Sequence, residues 1–375
     1  MTAELRREGN PSSLHAAGRR ARRVVEESRE QVAETFGARP GEVVFTGGGT
    51  EADNLAVKGL FWSRRAADPV RRRIVASPVE HHAVLDPLLW LAEHEGAELE
   101  WLPVDRLGRV DPGDVAGALG NDPDSVAFVT VMAANNEIGT IEPIGAVAAE
   151  AARWNVPLHV DAIAAAGQLP VDFAGSGAAT MALTGHKIGG PPGVGALIVA
   201  RGVQLTPVLH GGGQERDMRS GTLDTPGIAG FAAAAAVAEV ELGERSKRMA
   251  GLRDALVSAV LEAVPDARLN GDPDPSGRLP GNAHFSFPGC EGDSLLLLLD
   301  ARGIECSTGS ACSAGVSQPS HVLVATGADD DSARASLRFS FGYTSTMGDV
   351  RAVADANGPV VERARGARLA SARRA

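Results

Sequence analysis

Four residues carry most of the chemistry this sequence can offer: Lys187, Asp161, His81 and Cys312. The chain holds 36 lysines and arginines together, yet only Lys58, Lys187 and Lys247 are lysines. Arginine keeps its proton inside a protein, whereas lysine can lose one and act as an amine nucleophile. Lys187 lies in Thr184-Gly-His-Lys-Ile-Gly-Gly-Pro-Pro-Gly193, a turn that taken alone also suits a surface lysine. Cys312 sits in Ser307-Thr-Gly-Ser-Ala-Cys-Ser-Ala-Gly315, where every side chain is small. Such a stretch cannot pack a core, so it predicts a mobile loop with an exposed, nucleophilic thiol. A loop also lets that thiol travel between an enclosed site and an outside acceptor. Cys290 and Cys306 flank Phe287 and Ile304 and read as packing positions.

The elements that position these groups read as short strands alternating with helices. Strands are predicted over 42–46, 73–77, 98–104, 125–132, 157–161, 178–184 and 195–200, with helices over 51–62, up to 95, and 143–154. That alternation means an α/β domain with a mostly parallel sheet. After residue 227 the pattern changes. A long Ala-rich helix over 228–262 leads to strands at 267–270, 283–287 and 335–341 and helices at 291–301, 319–326 and 348–370. The division is therefore a large domain over 1–241 and a smaller α+β domain over 242–375, with 271–281 a surface loop.

Open α/β sheets gather ligands beyond the carboxyl ends of their strands. Thr50, His81, Asn136, Asp161 and Lys187 each follow or end a predicted strand, which puts them on one rim. Gly47-Gly-Gly-Thr50 joins a strand to a helix start and aims backbone N–H groups at an anion, although no GK[ST] follows to make a P-loop. An amine, a carboxylate and an anion cradle suit pyridoxal 5′-phosphate (PLP). Lys187 would attach to it and Asp161 would hold its ring nitrogen protonated. Gly49, Thr50 and Thr184 would hold its phosphate, and His81 would cover the ring. On position alone, His81 also suits a histidine bonded to its neighbours, and Asp161 a helix cap.

Composition narrows the rest. A net charge of −11 argues against a nucleic-acid surface. The arginine clusters at 19–23, 71–73 and 363–374 suit solvated helix faces or ends. Three cysteines make no disulfide framework, suit a reducing compartment, and lack the CxxC pairs of a zinc site, so no metal is expected. A polar, charged start suggests no signal peptide, and the Ala-rich 227–240 stretch is too weakly apolar for a membrane span. A cytoplasmic protein is expected.

Nine motifs together resemble the cysteine desulfurases, in class V of the fold-type-I PLP enzymes and specifically their housekeeping branch. They are Gly9-Asn-Pro-Ser-Ser-Leu-His15, Thr46-Gly-Gly-Gly-Thr-Glu-Ala-Asp-Asn54, Glu80-His-His-Ala-Val-Leu-Asp86, Asn135-Asn-Glu-Ile-Gly139, His159-Val-Asp161, Gly185-His-Lys187, His210-Gly-Gly-Gly-Gln-Glu-Arg216, Arg219-Ser-Gly-Thr222 and Gly309-Ser-Ala-Cys312. The resemblance runs from about residue 9 to about residue 342. It implies that Lys187 binds the cofactor and shuttles protons, that His81 stacks on the ring and assists acid–base steps, and that Asp161 pairs with its nitrogen. Gly49, Thr50, Thr184 and His186 would form the phosphate site. Thr222 would reach the partner subunit's phosphate, which implies a homodimer. Asn136 and Arg338 would orient the carboxylate of L-cysteine. Cys312 would take the sulfur as a persulfide, leaving L-alanine, for delivery to iron–sulfur scaffold or tRNA-thiolating proteins.

Two departures stand against the family pattern. Ala164 occupies the place of a glutamine that donates to the ring hydroxyl oxygen, and Gln168 does not align with it. The family's opening Tyr-Leu-Asp-x-Ala-Ala-Thr-Thr-Pro segment has no counterpart before Asn10, from a misassigned start or a true lack. The competing readings are another fold-type-I PLP enzyme, such as a selenocysteine lyase or an aminotransferase, and an impaired homologue acting as a binding partner in sulfur trafficking. Plain aminotransferase chemistry needs no thiol like Cys312.

Overall fold

The computed structural model describes residues 1–309 and 319–372. Seven strands, β1 (Val43–Thr46), β2 (Arg73–Ala76), β3 (Glu98–Trp101), β4 (Val126–Thr130), β5 (Leu158–Asp161), β6 (Thr180–Thr184) and β7 (Gly195–Val199), form one sheet in the order β1-β7-β6-β5-β4-β2-β3. The run β3-β2-β4-β5-β6 is parallel. β7 lies antiparallel to both β6 and β1, so β1 points the same way as β6. Every strand but β7 thus delivers its carboxyl end to one rim, the mostly parallel arrangement expected for an α/β PLP fold.

Strand composition follows from burial. β1, β4, β5, β6 and β7 are buried at every residue, because helices cover both faces of a parallel sheet, and they read as continuous apolar runs. The edge strand β3 is half exposed and carries charge. There Glu98 pairs with Arg72 at 3.1 Å and Glu100 with Arg73 at 3.0 Å, which discourages pairing with another chain. Two strands stop short of their predicted ends. β3 ends at Trp101 and β4 at Thr130, although Leu102, Val131 and Met132 beyond them are apolar and buried. Apolar pattern reports burial, and single backbone bonds to the neighbouring strands still continue here, from Leu102 N–H to Ala76 O at 2.9 Å and from Val131 N–H to His159 O at 3.2 Å.

By its internal contacts the chain divides into two compact units. One comprises 1–103, 110–133 and 142–242, and the other 104–109, 134–141 and 243–375. The second unit is α+β. Its antiparallel sheet, β10-β9-β8, consists of β8 (Arg268–Leu269), β9 (Asn282–Ser286) and β10 (Ser336–Ser340). Its core joins Leu256 and Val260 of the long helix, Phe285, Leu337, Leu295 and Val360. Phe285 meets Phe339 edge-on at 6.2 Å, a favoured aromatic geometry.

Two expectations are corrected. The 271–281 segment is not simply a surface loop: Asp272, Arg278 and Leu279 are buried. Arg278 turns the chain inward by donating to the backbone carbonyls of Asp272, at 2.7 Å, and Asn270. By length and composition, one stretch of the helix Thr225–Ala263 is long and apolar enough to cross a membrane. The helix also supplies core side chains along its length: Ile228, Phe231, Ala235, Leu252, Leu256 and Val260 are all buried.

Candidate functional site

The rim is built around Gly195. Thr46, the last residue of β1, and Thr184, the last of β6, both pair with it across β7. Gly195 must lack a side chain, since a Cβ there would lie 2.8 Å from the Gly48 backbone. The chain turns at Gly48, whose φ of 146° favours glycine, into the helix Gly49–Ala67. No side chain caps that helix start, so its first-turn N–H groups and the positive end of its dipole face the rim. A Cβ on Gly49 would strike Ile163 and come within 3.5 Å of Thr184. The anion turn, the end of β6 and the turn after Asp161 are therefore in direct contact.

Lys187 follows Thr184 in a loop folded onto itself. Gly185 N–H donates to Val194 O at 3.0 Å, and the Ile188 and Gly190 N–H groups donate to Gly185 O at 3.1 and 2.9 Å. Thr184 Oγ1 lies 3.1 Å from His186 Nδ1 and donates to Val194 O at 3.3 Å. Burial, and then the Lys187 charge, push the His186 imidazole below its usual range.

Asp161 ends β5 beside Ala182 of β6 and is 3% exposed. Burial pushes its carboxyl up to about 6, opposed by the Ile163 N–H, which donates to Oδ1 at 2.8 Å, and by the Lys187 charge. At neutral pH it is an enclosed anion within the field of the Lys187 ammonium. His81 is the N-cap of the helix His82–Glu95, and its Nδ1 accepts from Ala83 N–H at 3.0 Å. The local reading of His81 thus holds, whereas Asp161 caps a turn and not the helix expected after it. The Asp161 cap uses Oδ1 of its carboxyl.

Asn136 and Arg338 lie in the second unit and meet there. Arg338 Nη1 donates to Asn136 O at 2.9 Å and Nη2 to Ser307 Oγ at 3.3 Å. Ser307 and Arg338 also exchange backbone hydrogen bonds of 2.7 and 3.1 Å. Cys312 lies outside the described residues. Of the other thiols, Cys290 is fully buried, and burial, then Asp300, push Cys306 up to about 11. Ala164 leaves its backbone carbonyl to Gln168, whose Nε2 donates to it at 3.2 Å. Thr222 is exposed at the end of the 210–222 loop.

Sequence reasoning missed what holds that loop. Glu215, fully buried, accepts from Arg29 Nη1 and Nη2 at 2.8 and 2.7 Å and from Phe45 N–H at 2.9 Å. Arg219 reaches Glu51 in the first turn of the helix Gly49–Ala67 at 2.8 Å. It also missed Asp53 and His159, buried beneath the rim. The only signal was a charged residue inside a quoted motif, and a motif does not tell a buried charge from a solvated one.

The donor set fits PLP: an amine, an enclosed carboxylate and an uncapped helix start flanked by a hydroxyl and an imidazole, all in one unit. Comparison with known proteins agrees. Residues 2–353 match the class-V aminotransferase family. The chain is 58% identical over 99% of its length, and 94% of the relative's, to an IscS-like cysteine desulfurase of Mycobacterium tuberculosis. A solved NifS-like protein superposes with a TM-score of 0.86 at 34% identity, covering 96% of this chain and 93% of the other. A solved SspA in complex with cysteine gives 0.75 at 32% identity, covering 88% and 90%. The chain belongs to the class-V aminotransferase family of fold-type-I PLP proteins and, within it, to the IscS-like cysteine desulfurases.

Proposed function

We propose that the chain is a PLP-dependent cysteine desulfurase. The observation that carries this reading is Lys187 acting on an enclosed Asp161 carboxylate beside the uncapped helix start at Gly49. PLP, when bound, supplies an electron sink for breaking bonds at the cysteine α- and β-carbons. Lys187 holds the cofactor and moves the α-proton at its Nζ. Asp161 keeps the ring nitrogen protonated, and His81 lies against the ring. The N–H groups of Gly49 and Thr50, with Thr184 and His186, take the phosphate, and Thr222 takes that of the partner subunit in a homodimer. Asn136 and Arg338 orient the substrate carboxylate.

The Cys312 thiolate attacks the substrate sulfur. The carbon–sulfur bond breaks, a sulfur–sulfur bond forms, and the carbon takes a proton, so L-cysteine and the thiol become L-alanine and a persulfide. The persulfide sulfur then passes, in the cytoplasm, to an iron–sulfur scaffold or tRNA-thiolating protein. The test is the visible spectrum of the PLP-loaded chain before and after L-cysteine, with alanine and sulfide assayed together. The reading requires a yellow protein whose band changes as alanine appears. It also requires that Cys312→Ala abolish sulfide release while leaving the colour. A chain that stays colourless with added PLP sinks it.

A further inference from the structure

The sheet buries more acid beneath the rim than a cofactor site needs. Asp53, Glu80 and Asp161 are 0%, 0% and 3% exposed, and Glu142 stands near Glu80 at 4%. Asp161 feels Lys187. Asp53 feels Asp161 and Glu80 and touches His159. Glu80 feels Asp161 and Glu142.

Donors divide unequally among these acids. Asp161 accepts the Ile163 N–H at 2.8 Å. Glu80 accepts the Thr130 hydroxyl at 2.9 Å and the Met132 N–H. Asp53, on the buried face of the helix Gly49–Ala67, has His159 Nε2 at 3.3 Å from Oδ1, while its Oδ2 has no hydrogen-bond partner. A buried anion with a bare oxygen is costly, whereas a carboxylic acid is far less so. Burial, then Asp161 and Glu80, push the Asp53 carboxyl well above its usual range.

His159 decides where the proton sits. It is fully buried, and burial lowers its imidazole to about 3, so the ring is neutral with one N–H. Nδ1 lies 2.9 Å from Thr180 Oγ1 and Nε2 faces Asp53. A ring that donates to Thr180 presents a bare Nε2, which an Asp53 O–H satisfies. The other tautomer, donating to Oδ1, would leave either an Asp53 anion beside Asp161 and Glu80 or an acid proton stranded on the unpartnered Oδ2. His159 and Asp161 stand two residues apart on β5 and share one face of the sheet.

We infer that Asp53 is a buried neutral carboxylic acid that donates to His159 Nε2. This pair holds the face of β5 that carries Asp161 and leaves Asp161 as the anion of the two aspartates. Asp53 is then a positioning residue, and its purpose rests on the reading of Asp161 as the partner of the cofactor nitrogen. Its protonation state does not.

The test is infrared spectroscopy of the full chain labelled with ¹³C-aspartate at about pH 8, well above the Asp161 value, so that Asp161 is ionised. An isotope-shifted carbonyl stretch of a protonated carboxyl is expected in the wild type and should vanish in Asp53→Asn. Absence of the band, or its persistence in the variant, overturns the inference. If the variant does not fold, the labelled wild type alone decides. A second readout is melting temperature. An acid whose folded pKa is raised destabilises the fold above its unfolded pKa, increasingly so as pH rises. Asp53→Asn should therefore melt higher than wild type at pH 8, with the gap closing toward pH 4. An Asn amide makes the same donation, so the pH titration of the PLP-loaded protein's visible band should be unmoved. A shift of about one pH unit would mean that Asp53 carries charge. A colourless protein that still shows the band would overturn the proposed function and leave this inference standing.

Discussion

A thiol reacts through its thiolate, so environment decides what Cys290 and Cys306 can do. Cys306, pushed up to about 11, is ionised in only about one molecule in a thousand at pH 8. Cys290 is enclosed in an apolar core. Limited alkylation at pH 8 followed by peptide mass mapping should modify Cys312 first and spare both others. Modification of Cys306 at a comparable rate would make it a second candidate sulfur acceptor. The places of Asp161 at the end of β5 and of Lys187 just beyond β6 were legible in the sequence because each follows an apolar run. The state of Asp53 was not, because a neutral buried acid is defined by His159, Asp161 and Glu80, which arrive from elsewhere in the chain. Ala164 is the reverse case: visible in the sequence, with a consequence only the fold supplies. Its backbone carbonyl is met by Gln168, but it carries no side-chain donor. Ala164→Gln should tighten PLP binding by about tenfold, the value of one restored hydrogen bond, as read by titration of the visible band.

At the scale of elements, the strands were legible because a doubly covered sheet writes itself as uninterrupted apolar residues. Loops were less so. The 210–222 loop reads as glycine-rich and polar, yet Glu215 anchors it in the core with Arg29 of the helix Ala16–Thr35 and the backbone of β1. Two consecutive residues, Arg216 and Asp217, adopt left-handed φ values of 52° and 59° to make that inward turn. Both charges of the pair are buried, so removing one strands the other. Glu215→Gln should lower unfolding free energy in urea by about 3 kcal/mol, and pairing it with Arg29→Met should restore part of the loss. Equal denaturation midpoints for wild type and the single variant would show that the pair contributes nothing.

At the scale of the whole molecule, the loop's anchoring matters because it presents Thr222 at the surface, where a second copy could use it. The exposed apolar residues give a separate reason to expect that copy. Val240 is 85% exposed and Val237 47%, one turn apart on the long helix, and Leu14 is 84% exposed. A chain with net charge −11 repels other copies over long range, so association needs apolar cover of this kind. Light scattering should give about twice the 38.6 kDa of one chain. Val240→Glu should shift the mass toward that of one chain at low micromolar concentration. Thr222→Val separates assembly from site completion. It should keep the doubled mass yet lose PLP several-fold faster on dialysis, since one phosphate hydrogen bond is gone. If Val240→Glu produces a single-chain protein that holds PLP as tightly as the wild type, Thr222 does not serve a neighbouring site. The phosphate would then be held entirely by the turn at Gly49, Thr50, Thr184 and His186.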